Sequence, residues 1–277
     1  LRDAKRLAGI ADECRVWENV SDENALRALR LAAELEYPPA LRTLGLMTMD
    51  GKGAPPDPGE GRRLLDMAIT KGDHRALVSL GNRLIDGRGL PESTAEGLAI
   101  LENAIAGDVR EAVFALGARL VFGDGIDRDS KRGVALLEQA AEAGDDRAMW
   151  VLGIVLFSDQ FIEKDPGQGE LWLTRAAEAG HESAMVQLGM RLLDGDDVVA
   201  DITAGKRWLE EACQQGSTVA MTMLAQRLFE GAGLPRDPAA AYQLLVRAAE
   251  TGDEQAMRIL AVRLIEGDGV PQDQQVG

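Results

Sequence analysis

The residue pair Leu44-Gly45 returns as Leu80-Gly81, Leu116-Gly117, Leu152-Gly153 and Leu188-Gly189, then as Leu224-Ala225 and Leu260-Ala261, at a constant step of 36 residues. An alanine precedes each leucine by four positions: Ala40, Ala76, Ala112, Ala148, Ala184, Ala220 and Ala256. A column of small residues keeps the same step (Ala25, Gly61, Gly97, Gly133, Gly169, Gly205, Ala241, Gly277), and so does an alanine column (Ala32, Ala68, Ala104, Ala140, Ala176, Ala212, Ala248). A period of this length marks an array of supersecondary units, each able to bury its apolar face only against its neighbours. Length alone would suggest about two domains for 277 residues. The columns instead predict one repeat domain over 1–277. Residues 40–255 hold six full repeats, 256–277 an incomplete last one, and 1–39 a degenerate first one. With Leu1 at its start and an end inside the last repeat, the chain is expected to be a processed form or part of a longer protein.

The unit 76–111 shows the local structure. Ala76, Leu77, Leu80, Leu84 and Ile85 recur at helical spacing. Gly87-Arg88-Gly89 and then Pro91 stop this helix, because glycine accepts positive φ and proline cannot continue the helix. Ser93 stands in an N-cap column with Asp57, Asp129, Asp165, Asp201, Asp237 and Asp273. A second helix carries Leu98, Leu101, Ala104 and Ile105, and Gly107 is read as its stop, in line with Gly72, Gly144, Gly180, Gly216 and Gly252. No strand-like alternation with hairpin turns occurs. The fold class is therefore all-α, built from helix–loop–helix hairpins. The small columns let helix backbones approach, so a bulky residue at Gly81 or Gly133 should cost more than ~1 kcal/mol through overpacking.

The motifs Ala-x-x-x-Leu-Gly, Gly-x-Gly-x-x-x-Asp, a small residue and Ala-Ala-x-x-x-Gly, as in Ala220 to Gly252, resemble the Sel1-like repeat family, relatives of the tetratricopeptide repeats. Gly269-Val270-Pro271-Gln272-Asp273 matches the family's loop consensus residue by residue. The resemblance is strong over 40–277 and weak over 1–39. The family's aromatic after Leu-Gly is replaced by Leu84, Leu120, Leu156, Leu192, Leu228 and Leu264. The fourth full repeat reads Asp159-Gln160-Phe161 where Gly-x-Gly belongs, and the fifth has only Gly195-Asp196-Asp197. The resemblance implies an α-solenoid, a right-handed superhelix, acting as a protein-binding scaffold without catalysis. It also implies a bacterial setting, in the periplasm and cell envelope or the cytoplasm, which the sequence does not distinguish.

Charge narrows the partner. Lys plus Arg is 30 and Asp plus Glu is 46, a net charge of −16. That balance argues against nucleic acid and against an anionic membrane surface. No apolar stretch reaches the ~18 residues that a membrane span needs. No cofactor or metal is expected. His74 and His181 each follow a helix-ending glycine, lack partners at metal-ligand spacing, and read as solvated loop residues. Cys14 and Cys213 lie too many repeats apart to pair, and Cys213, in an Ala-Ala column, reads as a small buried residue. Asp124, Asp127 and Asp129 put Lys131 and Arg132 where a calcium loop needs an oxygen ligand and a glycine, so they read as an acidic turn. The Gly-x-Gly pairs follow helices rather than strands and cradle no phosphate.

Two columns carry the functional expectation. Arg83, Arg119, Arg191, Arg227 and Arg263 recur, with Asp86, Asp194, Glu230 and Glu266 three residues on and Phe122 as the exception. Such i, i+3 pairs suit intrahelical ion pairs that stacking could extend into a ladder; the other reading is an anion-binding spine. Trp172 and Trp208 align with Leu64, Ile100, Leu136 and Leu244, and belong to the core. Trp150 stands in the column Arg42, Val78, Phe114, Trp150, Val186, Thr222, Arg258, which faces the concave groove if the first helices line it. Ile154 and Met190, then Phe157 and Leu193, follow within two turns, with Phe122 and Phe161 nearby. Exposed apolar and aromatic clusters mark binding sites; the alternative is tight packing in an atypical repeat.

These features predict a non-enzymatic scaffold, monomeric, holding another protein's peptide or domain in a groove lined by Phe114, Phe122, Trp150, Ile154, Phe157, Met190 and Leu193. Two other readings stay open: a helical module of a larger bacterial enzyme or envelope protein, and an immunity or antitoxin-type protein that blocks an effector.

Overall fold

The computed structural model describes residues 23–267. Among them are fourteen helices and no strand. They form two compact units, one up to Ala140 and one from Ala141. The first unit contains α1 (Glu23–Glu34), α2 (Pro38–Asp50), α3 (Pro58–Thr70), α4 (Arg75–Asp86), α5 (Thr94–Ala106), α6 (Arg110–Phe122) and most of α7 (Ser130–Glu142). The second contains α8 (Asp146–Leu156), α9 (Pro166–Glu178), α10 (Glu182–Asp194), α11 (Ile202–Gln214), α12 (Thr218–Glu230), α13 (Pro238–Glu250) and α14 (Glu254–Glu266). From α2 onward, even-numbered helices open a hairpin and odd-numbered ones close it. Cys14 and Asp273 lie outside the described residues.

The caps explain where the helices start. Asp57, Asp129, Asp165, Asp201 and Asp237 each accept the N–H three residues on, at 2.9–3.0 Å, satisfying a donor that no carbonyl can reach. Ser93 occupies the same position, but its side chain makes no cap bond. Most opening helices end on a left-handed glycine, such as Gly87 at φ +61°. Helix α8 does not: its repeat lacks the Gly-x-Gly, so the helix stops at Leu156 and Phe157 takes a right-handed C-cap. After α5 the left-handed residue is Asp108, at φ +60°, rather than Gly107. Gly107 lies one position ahead of the column formed by Gly72, Gly144 and their equivalents, which corrects its reading as the helix stop.

Each hairpin closes where small residues meet. In the first unit, a Cβ on Gly45 would stand 2.8 Å from the Gly61 carbonyl oxygen, and one on Gly97 would stand 2.6 Å from that of Gly81. In the second unit, Gly205 faces the Gly189 carbonyl at 2.7 Å in the same sense. The leucine four residues after each closing-helix glycine fills the space beside these contacts. Leu65, Leu101 and Leu137 in the first unit, and Leu173, Leu209 and Leu245 in the second, are fully buried. Each such leucine contributes roughly 1.5–3 kcal/mol of burial. One continuous core runs through the second unit from Phe157 to Leu264; the first unit carries separate clusters around Leu65, Leu116 and Ala112.

Candidate functional site

The opening helices of the second unit present one variable column: Trp150 on α8, Val186 on α10, Thr222 on α12 and Arg258 on α14. The residue 31 positions after each of the first three falls at the N-cap of the next opening helix: His181, Ser217 and Asp253. In the first unit this relation joins Arg42 to Asp73, with Nε donating to Oδ2 at 2.8 Å. In the second it stacks the Trp150 indole on the His181 imidazole, with centroids 5.1 Å apart and planes at 20°. His181 is thus not a free loop residue. Its Nδ1 accepts the Ala184 N–H at 3.2 Å, capping α10. The signal was present in the sequence: the column also holds Asp73, Asp145, Ser217 and Asp253, all cap formers, with Val109 as the exception. Asp145 accepts from Arg147 and Ala148, Ser217 from Ala220 at 3.1 Å, and Asp253 from Ala256 at 2.7 Å. His74 is exposed and makes no cap bond.

Around the stack, Ile154 and Met190 are half-buried, resting on the core while keeping one side open. Phe157 and Leu193, expected in the groove, are core residues at 6% and 4% exposure. Their column faces the closing helix of the same hairpin: the Phe157 ring lies 2.9 Å from where a Cβ on Gly169 would stand, and Leu193 packs on Gly205. Phe114, half-buried, and Phe122, 42% exposed, belong to the first unit. In the second unit the apolar row therefore consists of Trp150, Ile154 and Met190. The Trp150 Nε1 and Thr222 Oγ1 atoms are buried without a hydrogen-bond partner. Trp172 and Trp208 are buried, as their columns require.

The arginine column pairs differently from the i, i+3 expectation. Arg83 reaches back 33 residues to Asp50, with Nη1 to Oδ1 at 2.6 Å and Nη2 to Oδ2 at 2.9 Å. Arg119 reaches Asp86 at 2.7 Å and donates from Nε to Asn82 at 2.9 Å. In the second unit Arg227 grips Asp194 with two bonds of 2.6 Å. The stems of Arg83 and Arg119 are buried against the preceding repeat, so their guanidinium groups emerge beside that repeat's carboxylate rather than their own. The hydrogen bond from Arg83 holds the Asp50 carboxyl below the ordinary carboxylate range, against an upward push from burial. Arg191 lies 3.8 Å over the Phe157 ring and hydrogen-bonds Asp196 of its own loop, through Nη1 to the carbonyl at 3.2 Å and to Oδ2 at 3.0 Å, with Asp197 Oδ2 3.9 Å from the same nitrogen. Arg263 lies over the Phe229 ring at 4.8 Å.

Burial pushes the Cys213 thiol up to about 11, which keeps it protonated and unreactive near neutral pH. At Asp145, burial raises the carboxyl pKa while bonds from Arg147 and two backbone N–H groups bring it below the ordinary value. Asp129 serves as a cap. Among the described residues no group of acidic, histidine and cysteine side chains could hold a metal, and no helix is long and apolar enough to cross a membrane.

The Sel1 repeat model matches residues 38–73, 110–145, 146–181, 182–217, 218–253 and 254–277. It passes over 74–109, where Ser93 and Asp108 depart from their columns, yet α4 and α5 form the same hairpin. A Sel1 repeat protein from Oxalobacter formigenes is similar in structure, with a TM-score of 0.67 and 26% identity over 99% of this chain and 80% of that one. A protective antigen of uropathogenic Escherichia coli with an SLR fold has a TM-score of 0.68 at 24% identity, covering 91% of this chain and 54% of its own. This chain thus spans about half the antigen's length, and the likeness speaks for the fold alone. No curated protein matches the sequence.

Proposed function

We propose that this chain, which belongs to the Sel1 repeat family, is a non-enzymatic interaction module that holds a partner's peptide or domain against the α8 and α10 face of its second unit. Sel1 repeats are generally protein-interaction modules, and this fold typically carries no catalysis. The observation behind the location is the row Trp150, Ile154 and Met190, half-buried apolar side chains in columns that vary from repeat to repeat. Met and aromatic side chains at such positions suit an interface centre, since they present large apolar area for little ordering cost.

The test is affinity capture from source cells by the wild-type chain and by Ile154→Glu and Met190→Glu variants. Both sites are half-open, so the variants should keep helical circular dichroism and a urea midpoint near wild type. Partners captured by the wild type should be lost by at least tenfold. Undiminished capture by the folded variants would sink the proposed face.

A further inference from the structure

We propose that Arg191 is a receptor for a single carboxylate of the partner, set at the end of the Trp150–Ile154 row. The arginine ladder carries the argument. Arg83, Arg119 and Arg227 each find a carboxylate 33 residues earlier: Asp50, Asp86 and Asp194. At Arg191 that place is held by Ser158. Arg119 also donates from Nε to Asn82; the residue at the same offset from Arg191 is Ile154, which accepts nothing. Arg191 is therefore an arginine without the preceding repeat's acid, and like Arg83 and Arg227, with Leu46 and Met190 at that offset, it lacks the Asn82-type acceptor of Arg119. Its only hydrogen bonds among the described residues leave from Nη1, to Asp196. The Nη1-to-loop carbonyl bond also occurs at Arg83 and Arg119, to Arg88 and Asp124, so it is the ladder's standard anchor; at Arg191 the Asp196 carboxylate takes Nη1 as well, and the hydrogen bonds to Asp196 leave the Nε and Nη2 edge open.

The group is pre-positioned. Its plane rests 3.8 Å from the Phe157 ring centroid, and its side chain keeps 21% exposure. A rigid, stacked guanidinium loses little freedom when it takes a bidentate carboxylate. Trp150, Ile154 and Ser158 follow at i, i+4 spacing along α8 and its end, so a segment lying on the apolar row brings its acid to Arg191. Nearby acids are engaged elsewhere or at the Nη1 side: Asp194 is held by Arg227, and Asp197 by Lys164 at 2.7 Å with its second oxygen 3.9 Å from Arg191 Nη1. With Asp196 on Nη1 and a chain charge of −16, the surroundings favour one carboxylate beside apolar residues over a polyacidic ligand.

The inference rests on the proposed docking face and adds the chemistry of what docks. The probes are three pools of N-acetylated, otherwise randomised apolar hexapeptides: one with a free C-terminal carboxylate, one amidated and free of acids, and one amidated with a single internal glutamate. Each is offered to the immobilised full chain, and the retained fraction is quantified. Wild type should retain one carboxylate pool at least tenfold more than the acid-free pool, a difference of about 1.4 kcal/mol; which pool wins separates a terminal from a side-chain source. Ser158→Asp supplies the rung from within the chain. It should raise the urea midpoint and remove the preference, while Ser158→Asn keeps it and Arg191→Met loses it. Equal retention of all pools by wild type, no retention of any, or a preference that survives in Ser158→Asp would overturn the proposal. The docking face is read separately: if Ile154→Glu retains the acid-free pool as well as wild type does, that face is wrong whatever the carboxylate result.

Discussion

Replacing Gly133 by alanine tests whether close helix approach, rather than helix propensity, governs the small columns. In an exposed helix interior, glycine to alanine gains up to about 1 kcal/mol. At Gly133 the new Cβ would lie 2.8 Å from the Gly117 carbonyl oxygen, 2.8 Å from the Val121 nitrogen and 2.8 Å from Val121 Cγ2. Two of these are backbone atoms of α6 and cannot rotate aside, so α7 must move away. That movement loosens Leu137, which is fully buried. Overpacking costs ~1–3 kcal/mol, and partial exposure of a leucine adds a fraction of the ~2 kcal/mol its burial is worth. Net of propensity, Gly133→Ala should destabilise by about 1–2 kcal/mol. The control is Gly59→Ala in α3, where the nearest outside atom is Asp57 Oδ1 at an ordinary 3.5 Å. That variant should gain up to about 1 kcal/mol. Equilibrium urea unfolding followed by circular dichroism should therefore move the two midpoints in opposite directions, by roughly 0.5–1 M for Gly133→Ala at ordinary slopes. A midpoint for Gly133→Ala that rises along with Gly59→Ala would refute the close-approach argument.

Asp50→Asn removes the bidentate acceptor of Arg83 and should cost about 1–3 kcal/mol at neutral pH. Because Arg83 holds the Asp50 carboxyl below its ordinary 3.8, this contribution is present above about pH 4 and fades as pH falls through the lowered value. The wild-type and Asp50→Asn urea midpoints should thus converge in acid, and a gap that stays constant down to pH 2 would contradict the rung. Ser217→Ala deletes the buried cap of α12 and should lower stability by about 1–2 kcal/mol; an unchanged thermal midpoint would show that the Ala220 N–H is satisfied elsewhere.

Much of the fold was legible because each repeat places the same residue in the same surroundings. Leu101 and Leu209 meet the same neighbours, so the column announces the contact. Legibility failed where one repeat departs from the rest. Asp108 supplies a left-handed residue without being glycine, so the stop after α5 was assigned one position early. Phe157 and Leu193 look like groove residues by their spacing from Trp150, but their column, with Met49, Ile85 and Val121, faces the closing-helix glycine. The arginine partners were misassigned for a physical reason. Spacing along one helix allows i, i+3 pairing, but a stem buried against the previous layer carries its charge across to that layer.

The columns also hold a criterion that separates core from binding face. Phe157 shares its place with Met49, Ile85, Val121, Leu193 and Phe229, all apolar and all buried, and with Ile265 of the last described helix, apolar and 46% exposed; a position that never admits a polar residue is one that stacked repeats seal. Trp150 shares its place with Arg42, Val78, Phe114, Val186, Thr222 and Arg258. That column answers in part to the position 31 residues on, as Arg42 does to Asp73 and Trp150 to His181, and no single packing requirement is common to all repeats. The same reasoning applies to pairs of columns. Asp50 with Arg83, Asp86 with Arg119 and Asp194 with Arg227 change together as complementary charges, whereas Ser158 with Arg191 does not. At Arg191 only the acids of its own loop are present, and the preceding repeat's acid is missing; a partly desolvated arginine with an open donor edge gains from a further carboxylate. Where the array does not supply that acid from within, a partner's carboxylate is the complement that fits.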